Sequence, residues 1–259
     1  MRREIKTIIL LSGIFFVCFF VYFNTKCSFC FSRIDELPST FESIPNGDEL
    51  KDLTHELELC EYYNWCERNL AEIKTKIMSS EGRILKIKRK NNYYYIATPL
   101  KFLIISLPSY KKVAEIELDP DHFIRSINFA LQKDLVYITM TIPDSKTVLK
   151  VFKLSNSSLK EISSLDLPGT SIVGEVKIHQ NKLFVANGWS GIRIIDISNP
   201  YKIKEIGHAS SGLINSRLMI IGAGCYAETF DYGRGNDGYY IIVNGSSGEK
   251  CPEVYYRPF

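Results

Sequence analysis

The sequence predicts an all-β fold: a propeller-type array of three to four antiparallel, four-stranded blades, preceded by an N-terminal membrane helix and a short helical segment. Repetition is the first observation behind this. Lys182-Leu183-Phe184-Val185-Ala186 aligns with Tyr93-Tyr94-Tyr95-Ile96-Ala97 and with Leu135-Val136-Tyr137-Ile138-Thr139, which makes Ala97, Thr139 and Ala186 equivalent at intervals of 42 and 47 residues. Such a period accommodates four short strands and their turns, blades typically taking about 40–45 residues. The second observation is composition: β-branched and aromatic runs bounded by turn formers fill each period. They leave little room for helices after residue 81.

The first copy offers strands over Arg83 to Lys88, Tyr93 to Ala97, Phe102 to Leu107 and Lys112 to Leu118. The second offers Ser126 to Ala130, Leu135 to Met140, Val148 to Leu154 and Leu159 to Leu165, with turns at Pro143-Asp144-Ser145 and Ser155-Asn156-Ser157. Phe102-Leu103-Ile104-Ile105 and Ile192-Arg193-Ile194-Ile195 have lost strict alternation, as strands covered on both faces do. A degenerate fourth copy is expected from Leu218-Met219-Ile220-Ile221 and Tyr239-Tyr240-Ile241-Ile242-Val243, read as second and third strands around a glycine-rich insertion from Gly222 to Gly238. Propellers usually have about four to eight blades. Either the ring closes at four, or an arc leaves edge strands open to partners, including further copies of the chain.

Residues 1–6 form a basic tail, and Thr7 to Phe23 is a 17-residue segment without charge. That length is at the lower edge of the roughly 17–25 residues needed to span hydrocarbon. Arg2, Arg3 and Lys6 precede it, so the tail is expected on the cytoplasmic side and everything after Asn24 on the other. Bulky Phe19 to Asn24 offers no small residues for signal cleavage, which favours a retained anchor over secretion after cleavage. Residues 24–46 read as a loose tether. Residues 47–80 read as helix, with Asp48 as cap and Leu50, Leu53, Leu57, Leu59, Tyr63 and Leu70 at helical spacings. This segment either covers one end of the array or serves as a stalk, and residues 81–259 form the repeat domain.

Outside the span, Cys27, Cys30, Cys60, Cys66, Cys225 and Cys251 make an even six, which in an oxidising compartment reads as disulfides. Cys225 and Cys251 flank the last expected hairpin and are the favoured pair. Cys60 and Cys66 cannot pair within one straight helix, being about 9 Å apart along its axis. Cys27-Ser28-Phe29-Cys30 has the spacing of a redox pair but not the strand-to-helix setting that lowers a thiol pKa.

The third copy also resembles a known family. Val185-Ala186-Asn187-Gly188 followed by Ile194-Ile195-Asp196-Ile197-Ser198-Asn199-Pro200 is similar to the LVIVD repeat, in which a strand ending in Val-Ala leads through a glycine turn to an apolar strand ending in Ile-Asp-Ile-Ser-Asn-Pro. The first copy keeps only Tyr95-Ile96-Ala97 and Ile104-Ile105-Ser106-Leu107-Pro108. This resemblance implies a β-propeller-like protein of bacterial or archaeal cell surfaces and implies no catalytic residues.

Catalytic and metal motifs are not visible. Gly233-Arg234-Gly235-Asn236-Asp237-Gly238 has the glycine spacing of a dinucleotide loop, but a strand follows it where phosphate binding requires a helix N-terminus, so it reads as a hairpin. His55, His122, His179 and His208 are scattered, and Asp119-Pro120-Asp121-His122 reads as a solvated connection. No metal or cofactor is expected. With net charge +3 and dispersed cations, nucleic acid is not an expected partner. Trp189, in a turn after Asn187-Gly188, is the candidate binding anchor, with Asn187 and Arg193 beside it. The expected function is therefore recognition or scaffolding outside the membrane, toward another protein or a surface glycan. Rival readings are an enzyme with a site at the propeller centre and a thiol–disulfide redox protein using Cys27 and Cys30.

Overall fold

The computed structural model describes residues 32–34, 40, 42–43, 50–63, 68–142, 146–168, 172–209, 227, 229–236, 238–244 and 253–258. The expected span at 7–23, the cap at Asp48, the strand at Leu218–Ile221, and Cys27, Cys30, Cys66, Cys225 and Cys251 lie outside them. No described helix is long and apolar enough to cross a membrane.

The described elements begin with β1 (Ser32–Ile34), β2 (Glu42–Ser43) and β3 (Lys51–Asp52), followed by α1 (Thr54–Tyr63) and α2 (Arg68–Glu81). Then come β4 (Lys86–Lys90), β5 (Tyr93–Ala97), β6 (Lys101–Ser106) and β7 (Lys111–Glu117); β8 (Ser126–Gln132), β9 (Leu135–Ile142), β10 (Lys146–Ser155) and β11 (Ser158–Leu167); and β12 (Val176–His179), β13 (Lys182–Ala186), β14 (Ile192–Asp196) and β15 (Lys204–Ala209). The last strands are β16 (Thr229–Arg234), β17 (Gly238–Asn244) and β18 (Glu253–Pro258). They form four antiparallel sheets with strand orders β3-β4-β5-β6-β7, β11-β10-β9-β8, β12-β13-β14-β15 and β1-β18-β17-β16-β2, here called the first to fourth sheets.

Period-two alternation explains how sheets covered on both faces pack. In β5 and β6, Tyr95, Ala97, Phe102 and Ile104 face the second sheet, where they meet Phe129, Leu131, Ile138 and Met140. Tyr94, Ile96, Leu103 and Ile105 point the other way. The second sheet sends Ala130, Tyr137, Leu149 and Val151 toward Val176, Leu183, Val185 and Ile195 of the third. Phe184, Ala186, Ile192 and Ile194 then meet Phe230, Tyr232, Ile241 and Val243 of the fourth. The second and third sheets thus each supply half of the core on either side of them, the reason such units are stable only when stacked.

Polar ties join the strands β4, β8, β12 and β16 across these interfaces. The Lys88 ammonium donates to the Phe129 carbonyl, Asn128 Nδ2 donates to the Gly174 carbonyl at 2.8 Å, and the Lys177 ammonium donates to the Phe230 carbonyl. Lys88 and Lys177 also lie over the rings of those phenylalanines, at 5.0 and 4.9 Å from the centroids. Lys88 opposes Tyr95 and Lys177 opposes Phe184, so the two lysines hold equivalent places in their repeats.

Helices α1 and α2 cover the outer face of the first sheet. Leu57 and Cys60 of α1, with Leu53 just before it, and Leu70, Ile73 and Ile77 of α2 pack on Ile87, Tyr94, Ile96, Leu103 and Ile105. The spacing of three and four residues puts each set on one helical face. Gly82, with φ of 80°, follows α2 in the left-handed conformation that commonly ends a helix. Cys60 is disulfide-bonded. At the start of α1 the Asp52 carboxylate accepts the Thr54 amide at 3.0 Å and the Thr54 hydroxyl at 2.7 Å, and pairs with Lys86. Burial alone would raise the Asp52 pKa, but Lys86 and Thr54 together outweigh it and hold the carboxyl below its ordinary value of 3.8. A group depressed in the folded state stabilises above its unfolded pKa, and that stability is lost as pH falls. Thermal midpoints of Asp52→Asn are therefore expected to fall less than those of the parent between about pH 4 and pH 2.

Two expectations are corrected. Residues 24–46 are not simply a loose tether, because β1 pairs with β18 and β2 with β16. Both free edges of the fourth sheet offer unpaired backbone groups that these short segments satisfy. The stretch Gly222 to Gly238 is not wholly an insertion either: β16 lies within it and pairs with β17 through a tight turn closed by Gly235 N to Gly238 O at 2.9 Å. Phe230 and Tyr232 give β16 the alternation that seats it on the third sheet.

Candidate functional site

The antiparallel order divides the connections between two ends of the array. The β5–β6, β9–β10 and β13–β14 loops and the crossovers between the first, second and third sheets share one end, here the crossover end; the β4–β5, β6–β7, β8–β9, β10–β11, β12–β13, β14–β15 and β16–β17 turns share the other. At the hairpin end, Asn91, Lys133, Asn156, Ser157 and Gln180 take positive φ. Consecutive left-handed residues at Asn156 and Ser157 suit the two-residue hairpin that joins β10 to β11.

Large side chains are exposed at both ends, Tyr93 and Tyr201 at the hairpin end and four at the crossover end. Leu100, Phe123, Ile172 and Trp189 are exposed there by 49%, 62%, 61% and 57%, each on a separate connection. Trp189 rides on a loop fixed by its backbone: Asn187 N donates to Gly191 O at 2.9 Å, Ser190 N to Asn187 O at 2.9 Å, and Gly191 N to Gly188 O at 3.1 Å. Gly188 and Gly191, with φ of 50° and 72°, supply the left-handed residues this tight path needs. Fully buried Asn187 clamps the loop to its neighbour, with Nδ2 donating to Pro168 O at 2.8 Å and Oδ1 accepting from Thr147 Oγ1 at 3.2 Å. On the other side, Gly188 O accepts from Ala227 N at 3.0 Å. Trp189 is thus held between the second and fourth sheets.

Of the three residues expected to bind, only Trp189 reaches the surface. Asn187 is spent on the clamp, and Arg193 is 3% exposed within β14. Arg193 Nη1 donates to Glu205 Oε1 at 2.9 Å, while its buried Nε and Nη2 have no hydrogen-bond partner among the described residues. Burial lowers the Arg193 pKa and Glu205 opposes the shift. Facing it across the strand pair, His208 has its pKa lowered by burial and then by Arg193.

A cavity of about 420 Å³ lies where β3, β4, β8 and the approach to β12 converge. Asp52, Lys86, Lys88, Ser126, Asn128 and Glu175 line it, together with Arg83 and Arg125, which precede β4 and β8 at the crossover end. Glu175 pairs with Lys177 at 2.9 Å and accepts the Phe230 amide at 3.3 Å. Ser126 Oγ donates to Thr141 Oγ1 at 3.1 Å and accepts from Val173 N at 2.9 Å. Arg83 and Arg125 had not stood out in sequence; their place just before each first strand was the available signal.

The Asp119–His122 pair forms at 3.1 Å, and the same carboxylate oxygen also accepts the amides of Asp121 and His122. Burial alone would raise the Asp119 pKa, but His122 and these amides lower it overall. Its work is to hold an exposed turn. Among the described residues, no group of three His, Cys, Asp or Glu side chains could hold a metal ion.

Four stacked antiparallel sheets, with a rigid aromatic loop at one end, define an all-β repeat protein. Residues 172–209, the third sheet with the approach to β12 and the Trp189 loop, match the family model of the LVIVD repeat, so the chain carries an LVIVD repeat there. No curated protein matches the chain in sequence. Among solved structures it is similar to the computationally designed Ika8 protein, at 15% identity over 63% of this chain and 46% of that one, with a TM-score of 0.38. It is also similar to Kluyveromyces lactis Hsv2 (14%, 60% and 56%, TM-score 0.32) and to Chaetomium thermophilum Raptor (11%, 59% and 18%, TM-score 0.26). The chain thus spans less than two thirds of each.

Proposed function

We propose that the protein is a membrane-anchored, propeller-type recognition or scaffolding module on the extracytoplasmic side, and that another protein or a surface glycan docks at its crossover end around Trp189. The observation that carries this reading is the 57% exposure of Trp189 on a loop bonded to the sheets at both sides. Aromatic anchors held rigid before contact lose little entropy on binding and commonly dominate interface energy.

Strand direction supports the same reading. Ala227, just before β16, bridges to Gly188 at the crossover end, so β16 and β18 run away from that end and β1 runs toward it. A chain arriving from an anchor at 7–23 would enter β1 at the hairpin end, an arrangement compatible with a Trp189 face directed away from the bilayer. Catalysis in the cavity has less support, since Asp52 and Glu175 are engaged by Lys86 and Lys177.

Crosslinking on intact membranes followed by affinity capture tests the proposal. Trp189→Ala is expected to weaken the captured complex by about 2 kcal/mol or more, roughly thirty-fold, without shifting the thermal midpoint. Equal capture by parent and variant would sink it.

A further inference from the structure

We infer that the cavity between the first, second and third sheets binds a small polyhydroxylated acid, a sugar carboxylate or sugar phosphate. This inference stands apart from the Trp189 contact. Its volume of about 420 Å³ lies within the range of about 300–1,000 Å³ usual for small-ligand sites.

The chemistry of the wall selects the ligand. Lys86 balances Asp52, and Lys177 balances Glu175. Lys88 holds the Phe129 carbonyl. Arg83 and Arg125 remain: both are exposed, and neither guanidinium has a hydrogen-bond or ion-pair partner among the described residues. Two planar cations, one just before the first strand of each of two neighbouring repeats, thus line one cavity, and neither is paired with an anion among the described residues. Carboxylate and phosphate oxygens match a guanidinium fork bidentately. On the same wall, the carboxylates of Asp52 and Glu175 can accept from hydroxyls, and Ser126 and Asn128 add polar atoms. Hydroxyl groups suit such a wall, whereas a second acid group there would meet carboxylates. The Asn128 tie to Gly174 and the Lys88 tie to Phe129 hold the wall in shape before any ligand enters.

The test is calorimetric titration of the full chain in detergent with glucuronate, glucose 6-phosphate, glucose and inorganic phosphate. Saturable binding of at least one sugar acid is expected, with glucose at least tenfold weaker and inorganic phosphate at least tenfold weaker than glucose 6-phosphate. Replacing both arginines, Arg83→Ala with Arg125→Ala, should weaken the sugar acids at least tenfold at an unchanged thermal midpoint, while Trp189→Ala leaves them unaffected. Absence of saturable binding by both sugar acids would overturn the inference. So would undiminished binding in the double variant, or inorganic phosphate or glucose matching the sugar acids.

Discussion

Phe129→Ala is expected to lower unfolding stability by about 3–5 kcal/mol, the range for emptying a fully buried aromatic site. Phe129 has no exposed surface and packs edge-on against Phe102 at a centroid distance of 5.0 Å. That contact lies at the centre of the interface between the first and second sheets. Its ring also lies beneath the Lys88 ammonium, which stays bound to the Phe129 carbonyl after truncation but loses the aromatic face. Sheets on both sides are fixed by further layers and cannot collapse into the void. Phe129→Leu should cost less, since most of the volume remains. Denaturant midpoints at constant slope measure both; a loss under about 1 kcal/mol for the alanine variant would show that the interface is not close-packed.

Glu205→Ala should cost about 3–5 kcal/mol, because it strands a buried cation. Arg193 is 3% exposed and Glu205 supplies its ion pair, while two of its guanidinium nitrogens have no partner among the described residues. Pairing Glu205→Ala with Arg193→Met removes charge and leaves an apolar chain of similar reach. Much of the lost stability should then return, since a buried pair often contributes no more than its apolar replacement. A double variant as unstable as the single one would show that Arg193 is needed for more than its charge.

The sheets were legible because alternation and turn residues are local properties. Tyr93–Ala97 and Lys182–Ala186 fall on β5 and β13 to the residue. Equivalence of Ala97 and Ala186 also survives, each ending the second strand of its repeat unit. Less legible were strands without a pattern of their own: β2 is Glu42–Ser43, two exposed residues that become strand only because β16 offers an edge. Asn187 misled for a related reason. An asparagine before a glycine reads as a surface turn, and only the third dimension brings Pro168 and Thr147 close enough to bury it. Arg83 and Arg125 lie far apart in sequence, and stacking brings both to one cavity.

Arg33 pairs with Tyr255, more than two hundred residues further along the chain. A polypeptide emerging from the ribosome makes β1 and β2 before the first three sheets, yet their partners β18 and β16 are made after them. The three earlier sheets can pack in the order of synthesis, whereas the fourth must wait, so its completion is the slow, non-local step of folding. Until then its edges stand open, and a stalled or shortened product would be the species most prone to pair with a stranger.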